Sequence, residues 1–229
     1  MARRRDMGLN QHQILQLRNA INCYEFPAVY FDFAQNIKIQ AAEMRTVEEY
    51  IAHLLRSEEI TQTKRGLANV LYWGYAQIGY RNNRVREFMD NVTDDQVHNF
   101  QQLVADNIVP TLIEIKNIRM PQFSGISFVS KIFMFLNPTD YCVLDQQLAR
   151  LRTSGSKRSL NRLVFGSNDT QIRITRHNQA VYENWCNECR WISQEYFRGL
   201  FRVVDVERGF FNLIQQVHIA DAQTIYNAA

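Results

Sequence analysis

The carboxyl group of Asp145 is the strongest candidate for chemistry in this sequence. Val143 and Leu144 precede it, and Gln146 begins the residue spacing of a helix. An Asp at a helix N-terminus caps the helix, because its oxygens accept hydrogen bonds from backbone N–H groups. Those hydrogen bonds also favour the ionised carboxylate. A fixed negative charge can stabilise a sugar with oxocarbenium character, or orient an attacking water, while a C–N glycosidic bond breaks. A purely structural cap is the simpler interpretation.

A segment shortly before Asp145 has the composition of a phosphate-binding turn. It runs from Gln122 to Lys131 and reads Gln-Phe-Ser-Gly-Ile-Ser-Phe-Val-Ser-Lys. Its glycine, Gly125, can adopt the backbone conformations that a tight hairpin between two helices needs. Backbone N–H groups near such a glycine form a small anion nest, and the positive end of the following helix adds to it. An ordinary helix–helix turn is the alternative.

Basic residues cluster on both sides of these two motifs. The formal net charge of +3 permits nucleic-acid binding without requiring it. One cluster comprises Arg81, Arg84 and Arg86, and the other comprises Arg150, Arg152, Lys157, Arg158 and Arg162. A solvated surface is the simpler interpretation of either cluster alone, but their position around the motifs favours contacts with DNA.

The cysteines do not indicate a metal site. Cys186 and Cys189 have the spacing of half a zinc or iron–sulfur site, but the sequence offers no second pair. Trp185 and Trp191 bracket them on a predicted helix, where buried thiols are the simpler interpretation. We therefore expect no metal and no resident cofactor.

The elements that must position these residues are predicted to be helices. Pro (4) and Gly (9) are scarce, which disfavours architectures built from many strands and turns. We expect an all-α fold, a two-lobed helical bundle that forms one domain over residues 1–229, with its lobes packed around a central cleft. Helices are predicted at residues 9–22, 46–55, 66–80, 93–104, 111–118, 127–136, 145–151, 179–201 and 204–219. The aromatic stretch at residues 30–33 has no clear assignment.

The sequence also bears on location. The start at residues 1–6 carries three arginines without a following apolar core, so it does not have the pattern of a secretory signal. No apolar run approaches the roughly 20 residues that cross a bilayer. We expect a cytoplasmic, nucleoid-associated protein without a membrane partner; protein partners are not predicted.

The order of the motifs resembles the helix-hairpin-helix base-excision DNA glycosylases. Their motif is a hairpin with Gly, an apolar helix, a short loop and an Asp that opens a helix, as at Phe123–Lys131 and Val143–Asp145 here. The chain looks most similar to the compact bacterial 8-oxoguanine-glycosylase-like group, which has a similar succession of Ser-Lys, Asn-Pro and Asp. That group includes relatives of phage thymine-modifying pyrophosphorylases and of anti-phage glycosylases that remove glucosylated hydroxymethylcytosine. The close match covers residues 122–151, with looser support at residues 72–75 and 203–207.

The resemblance implies roles for individual residues. Asp145 would be the catalytic carboxylate and Gly125 the hairpin glycine. Backbone groups of the hairpin would contact phosphates of double-stranded DNA, with a monovalent cation as the one candidate ion, and nearby cations would add further contacts. These DNA-binding residues are Phe123, Ser124, Gly125, Ile126, Ser127, Phe128, Arg150, Lys157 and Arg158.

Two positions depart from the family pattern. Ser127 stands where these hairpins usually have a second glycine, and Val129 stands where bifunctional members have a Schiff-base lysine. Lys131 lies two residues further on and could still attack the sugar C1′ if the hairpin were longer. We favour a monofunctional, water-attacking enzyme. Lys131 remains the alternative nucleophile, and a phosphate contact or an ordinary surface lysine is its simpler interpretation.

Base excision requires that the nucleotide leave the base stack, so aromatic and arginine side chains should line a pocket. The candidates are Trp73, Tyr75, Tyr80 and Arg81. Core packing is the simpler interpretation of Trp73.

The expected function is that of a DNA glycosylase, which flips a modified base and hydrolyses its N-glycosidic bond to leave an abasic site. An oxidised purine and a glucosylated hydroxymethylcytosine are both candidate substrates, so DNA repair and antiviral defence both stay open. One alternative is a helix-hairpin-helix DNA-binding module without catalysis, in which Asp145 only caps its helix. Another is a transferase or pyrophosphorylase that acts on a modified thymine.

Overall fold

A computed structural model describes residues 8–105, 108–166, 171–216 and 218–229. The arginine-rich start at residues 1–6, used above to argue location, lies outside the described residues. The described part is mostly helical, as expected. Its elements are α1 (Gln11–Asn22), β1 (Val29–Asp32), β2 (Ile37–Gln40), α2 (Met44–Leu55), α3 (Ile60–Gly74), α4 (Arg81–Asn91), α5 (Asp94–Val104), α6 (Leu112–Ile118), α7 (Ile126–Leu136), α8 (Arg176–Phe197), α9 (Val203–Gln215) and α10 (Ile219–Ala228), with 3₁₀ turns at Leu148–Leu151 and Ser159–Arg162. No helix in these ranges is long and apolar enough to cross a membrane.

A two-stranded sheet corrects the all-α expectation. Strands β1 and β2 pair antiparallel, with Val29 opposite Gln40 and Asp32 opposite Ile37. The Asp32 carboxylate closes the turn between them, because its Oδ1 accepts hydrogen bonds from the backbone N–H groups of Ala34 and Gln35. The unassigned aromatic stretch at residues 30–33 therefore lies in and just after a strand.

The chain divides into two compact units. Unit 1 comprises Met1–Glu25, Pro138–Ile172 and Arg176–Ala229, and unit 2 comprises Phe26–Asn137 and Arg173–Thr175. The candidate acid Asp145 lies in unit 1. The segment from Gln122 to Lys131 lies in unit 2.

Helix α3 forms the centre of unit 2 and packs against α2, α4, α5 and α7. Gly66 allows its close approach to α2, since a Cβ atom there would lie 2.9 Å from the backbone nitrogen of Leu55. Buried Asn69 ties α3 to the first strand: its Nδ2 donates to the Phe31 carbonyl at 3.0 Å, and its Oδ1 accepts from the Phe31 N–H at 2.7 Å. The strand therefore belongs to the core of this unit.

Helix α9 has the same central place in unit 1, where it packs against α1, α8 and α10. A Cβ atom at Gly209 would lie 2.6 Å from Ile21 Cγ1, so glycine is needed for the contact with α1. The Asn212 side chain donates to the carbonyls of Ala20 and Cys23, both at 2.9 Å, and thereby fixes the end of α1.

Several predicted boundaries were wrong. The helix predicted at 66–80 begins at Ile60 and ends at Gly74, and α4 and α10 were not predicted. The helix predicted from Asp145 to Leu151 is a turn followed by the 3₁₀ turn Leu148–Leu151.

Candidate active site and nucleic-acid interface

Asp145 ends an extended, buried segment in unit 1. Its Oδ1 accepts hydrogen bonds from the backbone N–H groups of Gln147 at 2.9 Å and Leu148 at 3.1 Å. The capping role expected from the sequence is therefore confirmed, although the capped element is a 3₁₀ turn. These two donors hold one carboxylate oxygen in a fixed position.

Helix α8 anchors the backbone that precedes Asp145. The Trp185 indole N–H donates to the Val143 carbonyl at 3.0 Å, and the Tyr182 hydroxyl donates to the Cys142 carbonyl at 2.9 Å. Both aromatic side chains are buried. The position of Asp145 is therefore set by the core of unit 1 rather than by a loop alone.

Tyr24 and Arg208 form a polar cluster, and the negative charge of Asp145 contributes to the raised pKa of Tyr24. Arg208 is buried; it donates a hydrogen bond to the Tyr24 hydroxyl, and its guanidinium carbon lies 5.2 Å from the centre of the Tyr24 ring. Loss of water around the hydroxyl raises the pKa of Tyr24 well above its ordinary value of 10.0. Arg208 opposes this rise, while the negative charges of Glu207 and Asp145 add to it. The phenol therefore stays protonated at neutral pH.

A half-buried ion-pair network at the start of α9 includes Arg208. Arg202 and Asp205 form an ion pair at 2.8 Å, and Arg208 lies 3.7 Å from the same Asp205 oxygen. Glu207 is also buried. Sequence reasoning missed Tyr24 and Arg208 as site residues, although one signal was present. Glu207 and Arg208 follow Val203 and Val204 by four positions each. Helical spacing therefore puts these two charged side chains on the apolar face of α9.

Residues 119–125 connect α6 to α7 in unit 2, and the rest of the segment from Gln122 to Lys131 lies in the first turns of α7. The left-handed backbone conformations of this connection occur at Arg119 (φ 60°) and Gln122 (φ 70°). Gly125 is extended (φ −116°, ψ 161°) and pairs with Arg173 in an isolated antiparallel bridge. The expectation that Gly125 supplies the turn is therefore wrong, because any residue can adopt its conformation.

The proposed phosphate contacts of this segment differ in exposure. Ser124 is exposed, Ser127 and Phe128 are half-buried, and Phe123, Gly125 and Ile126 are buried. Gly125 occupies the N-cap position of α7, which has no side-chain cap. The backbone N–H groups of the first turn of a helix lack partners within the helix. The contacts proposed at Phe123 and Ile126 can therefore come only from their backbone groups.

Lys131 is buried, with 5% of its surface exposed, which excludes its interpretation as a surface lysine. Its Nζ donates to the Ser127 carbonyl at 3.0 Å and lies 3.2 Å from the Ser127 hydroxyl. The amine also lies 5.1 Å from the centre of the Phe128 ring. A Cβ atom at Gly74 would lie 3.1 Å from Lys131 Cδ, so α3 covers this side chain closely.

The four candidates for the base pocket do not share one environment. Trp73 is 3% exposed and packs its ring 4.8 Å from Phe26 and 5.2 Å from Phe135, so its core interpretation is the one the structure supports. The centre of the Tyr75 ring lies 4.4 Å from that of Phe128 and 5.5 Å from that of Tyr80, and Tyr80 is exposed. We call Tyr75, Tyr80 and Phe128 the aromatic group of unit 2.

Two of the predicted arginines of unit 2 lie over aromatic rings. The Arg81 guanidinium carbon lies 4.0 Å from the centre of the Tyr72 ring. Arg84 lies 5.5 Å from the centre of the Tyr80 ring and pairs with Glu87 at 3.2 Å. Cations and aromatic faces are thus interleaved on one part of the unit.

The predicted DNA contacts of unit 1 are on its surface. Arg150 and Lys157 are exposed, and Arg158 is half-buried. Arg150 donates to the side chain of Gln147 at 2.9 Å. Because the Gln147 backbone N–H donates to the Asp145 carboxylate, Arg150 carries a positive charge close to the turn that holds the candidate acid.

Cys142, Cys186 and Cys189 are buried free thiols in unit 1. The sulfurs of Cys142 and Cys186 are 3.8 Å apart. Burial raises the pKa of Cys142 and Cys186 well above their ordinary value of 9.0 and raises that of Cys189 to about 11. The described residues contain no group of three or more ligands that could hold a metal ion.

Comparison of the chain with protein-family models, curated proteins and solved structures found no match. The resemblance to helix-hairpin-helix glycosylases consequently stays a prediction from the motif residues.

Proposed function

We propose that this protein is a DNA glycosylase that flips a modified base out of double-stranded DNA and hydrolyses its N-glycosidic bond with Asp145. The observation that carries the proposal is the fixed carboxylate of Asp145. Two backbone N–H groups hold one of its oxygens, and its charge acts on a polar cluster that contains a protonated phenol and a buried guanidinium. Fixed groups of this kind stabilise developing charge without reorganising during the reaction.

In the proposed reaction, the C1′–N bond breaks and its electron pair stays with the base. The sugar carries positive charge as the bond lengthens, and the carboxylate of Asp145 stabilises that charge. A water oxygen then bonds to C1′, its proton passes to Asp145, and the leaving base finally takes up this proton. The products are a free base and an abasic site.

DNA contacts are proposed for each unit by itself. In unit 2, the exposed part of the connection before α7 binds phosphate, and the aromatic group of Tyr75, Tyr80 and Phe128 stacks on bases. In unit 1, Arg150, Lys157 and Arg158 bind phosphates. Trp73 is left out of the proposed pocket because its ring is buried. An oxidised purine and a glucosylated hydroxymethylcytosine both remain candidate substrates, in repair or in defence.

Asp145→Asn tests the chemistry separately from the fold. Asparagine keeps an oxygen that can accept the two capping hydrogen bonds, so the fold and the DNA affinity should be retained. Base release should fall roughly a hundredfold or more, because a neutral amide neither stabilises the sugar cation nor takes up a proton. The assay is mass spectrometry of bases released from oxidised DNA and from T-even phage DNA. Asp90→Asn is the matched control, since Asp90 is an exposed carboxylate on α4.

A second function is favoured by the capping itself, which is sufficient to explain why an Asp stands at position 145. In that case the protein binds DNA without catalysis. Base release by the Asn variant at the parent rate would support this binding function and rule out the enzyme. An altered base that remains in the DNA would instead identify a transferase, and borohydride trapping of a Lys131 adduct would identify a lyase.

A further inference from the structure

A pocket in unit 1 combines Arg158, which is proposed above to bind a phosphate, with five residues that have no role in that function. It has a volume of about 230 Å³ and is lined by Arg158, Arg162, Asn184, Asn187, Glu188 and Trp191. Four of these residues lie on α8 at positions i, i+3, i+4 and i+7, which places them on one face of the helix. Arg158 and Arg162 come from the two ends of the 3₁₀ turn Ser159–Arg162.

The carboxylate of Glu188 holds the pocket together. Its oxygens accept hydrogen bonds from the Ser159 backbone N–H at 2.9 Å, the Ser159 hydroxyl at 2.6 Å and the Tyr226 hydroxyl at 2.5 Å. These bonds attach the start of the 3₁₀ turn to α8. Glu188 forms no ion pair with either arginine of the pocket within the described residues. The anionic side chain is therefore occupied by structural donors.

The two guanidinium groups, in contrast, are available to a ligand. Within the part of the chain that the structure describes, neither Arg158 nor Arg162 donates a side-chain hydrogen bond or forms an ion pair. The Arg158 guanidinium carbon lies 5.9 Å from the centre of the Trp191 ring and equally far from that of Tyr226. Two planar guanidinium groups that line one pocket provide forked donors for phosphate oxygens.

Trp191 and the two asparagines add an aromatic face and amide groups, which a site for a simple anion would not need. Trp191 is 43% exposed, whereas Trp73 and Trp185 are buried. Aromatic faces stack on bases without reading their sequence, and Asn amides can hydrogen-bond base edges. The pocket volume of about 230 Å³ is also smaller than the roughly 300 to 1,000 Å³ of sites for drug-sized ligands, which favours a small ligand.

We propose that this pocket binds one nucleotide unit, with its phosphate on Arg158 and Arg162 and its base against Trp191. The unit could belong to a nucleic-acid strand or to a free nucleotide, because both present the same chemistry. The pocket does not depend on the reaction proposed for Asp145.

Tryptophan fluorescence tests this proposal directly, since Trp191 is the exposed tryptophan. The probes are a short oligothymidylate, thymidine monophosphate and inorganic phosphate, each added to the full chain. We expect a nucleotide probe to quench the emission. The Trp191→Phe variant, which retains only the two buried tryptophans, should not respond to any of them.

Arg162→Gln should raise the Kd of the nucleotide probe, read from the concentration dependence of the quenching, roughly tenfold. The reason is the loss of a charge-assisted hydrogen bond. For a bound strand, the slope of log K against log salt should also decrease by about 0.7. Arg45→Gln is the charge-matched control, as Arg45 is an exposed arginine of unit 2, and it should leave the quenching unchanged. Arg162 is exposed, so its variant should fold.

The probes also separate the two sources of the ligand. Quenching by the oligothymidylate alone supports a strand, and equal quenching by thymidine monophosphate supports a free nucleotide. Quenching by inorganic phosphate to the same extent, or by none of the three, overturns the proposal. Base release by the parent protein is measured separately, so either proposal can fail while the other holds.

Discussion

Specific hydrogen bonds and ion pairs hold the charged side chains of the cluster that contains Tyr24 and Arg208. Arg208 is buried and has Tyr24 as one acceptor and Asp205 as a charge partner. A buried guanidinium that loses a partner keeps the cost of its lost hydration. The polar cluster is consequently sensitive to the removal of one oxygen atom.

Tyr24→Phe removes that oxygen and keeps the ring. We expect the free energy of unfolding to fall by about 1 to 3 kcal/mol, because Arg208 loses a hydrogen-bond acceptor in the interior. Urea unfolding followed by circular dichroism provides the measurement. Tyr50→Phe is the control, since the Tyr50 hydroxyl makes no hydrogen bond within the described residues. Equal stability of the two variants would show that the Tyr24 hydroxyl does not support Arg208.

At the scale of elements, local sequence signals identified some helices well. Helices α5 and α6 begin as predicted, because Thr93 with Gln96 and Thr111 with Glu114 form capping boxes whose partners are three residues apart. The predicted start at Gly66 was wrong for a tertiary reason. Glycine usually marks a helix end, yet here it lies inside α3 where α2 passes too closely for a side chain.

The candidate site was predictable to a similar extent. The cap at Asp145 follows from adjacent residues and could be identified. Tyr24 follows α1 and Arg208 lies in α9, far apart in the sequence. The packing of α1 against α9 brings them together. The burial of Lys131 likewise depends on α3, which covers it from a distant part of the chain. Contacts of this kind leave little local signal.

The contact between α3 and α7 can be tested at Gly74. A Cβ atom there would lie 2.6 Å from Phe128 Cε1, so Gly74→Ala should displace the Phe128 ring. Overpacking of this kind costs about 1 to 3 kcal/mol, and the better helix propensity of alanine returns up to about 1 kcal/mol. We expect a net loss of stability in chemical unfolding. Gly79→Ala is the control, because nothing lies within 4 Å of its Cβ position; similar stability of both variants would contradict the close packing.

The ion pair at the start of α9 gives a prediction for pH. Burial alone would raise the pKa of Asp205, but the hydrogen bonds and charges of Arg202 and the charge of Arg208 outweigh it and lower the pKa below its ordinary value of 3.8. The stability gained from the pair is therefore present above pH 3.8 and is lost as the pH falls through the lowered folded pKa. Asp205→Asn should cost about 1 to 2 kcal/mol at neutral pH.

This difference between the parent and Asp205→Asn should shrink as the pH falls below 3.8, which urea unfolding at several pH values can measure. Asp90→Asn again serves as the control and should show no such trend. A difference that stayed constant with pH would show that the ionised carboxylate of Asp205 is not what stabilises α9.

At the scale of the whole molecule, all four cysteines lie in unit 1 and can report on its folding. Three buried thiols lie in unit 1, and Cys23 is exposed in the same unit. Only a thiolate attacks a disulfide reagent, so burial blocks the reaction both by excluding the reagent and by raising the pKa. Thiol reactivity should therefore distinguish the folded from the opened unit.

We expect one of the four thiols, Cys23, to react rapidly with Ellman's reagent at pH 8 in the folded protein, and all four to react in denaturant. Cys23→Ser should abolish the rapid phase and leave the slow one. The rate of the slow phase then reports how often unit 1 opens. Rapid reaction of any thiol in the Cys23→Ser protein would contradict the burial of Cys142, Cys186 and Cys189.

The discontinuous composition of unit 1 has a consequence for synthesis on the ribosome. Helix α1 is synthesised well before its partner α9, because all segments of unit 2 lie between them in the sequence. All segments of unit 2 leave the exit tunnel earlier, so this unit can acquire its core while the other is still incomplete. During that interval the apolar side of α1, with Leu17 and Ile21, has no native partner and is a natural binding surface for a nascent-chain chaperone.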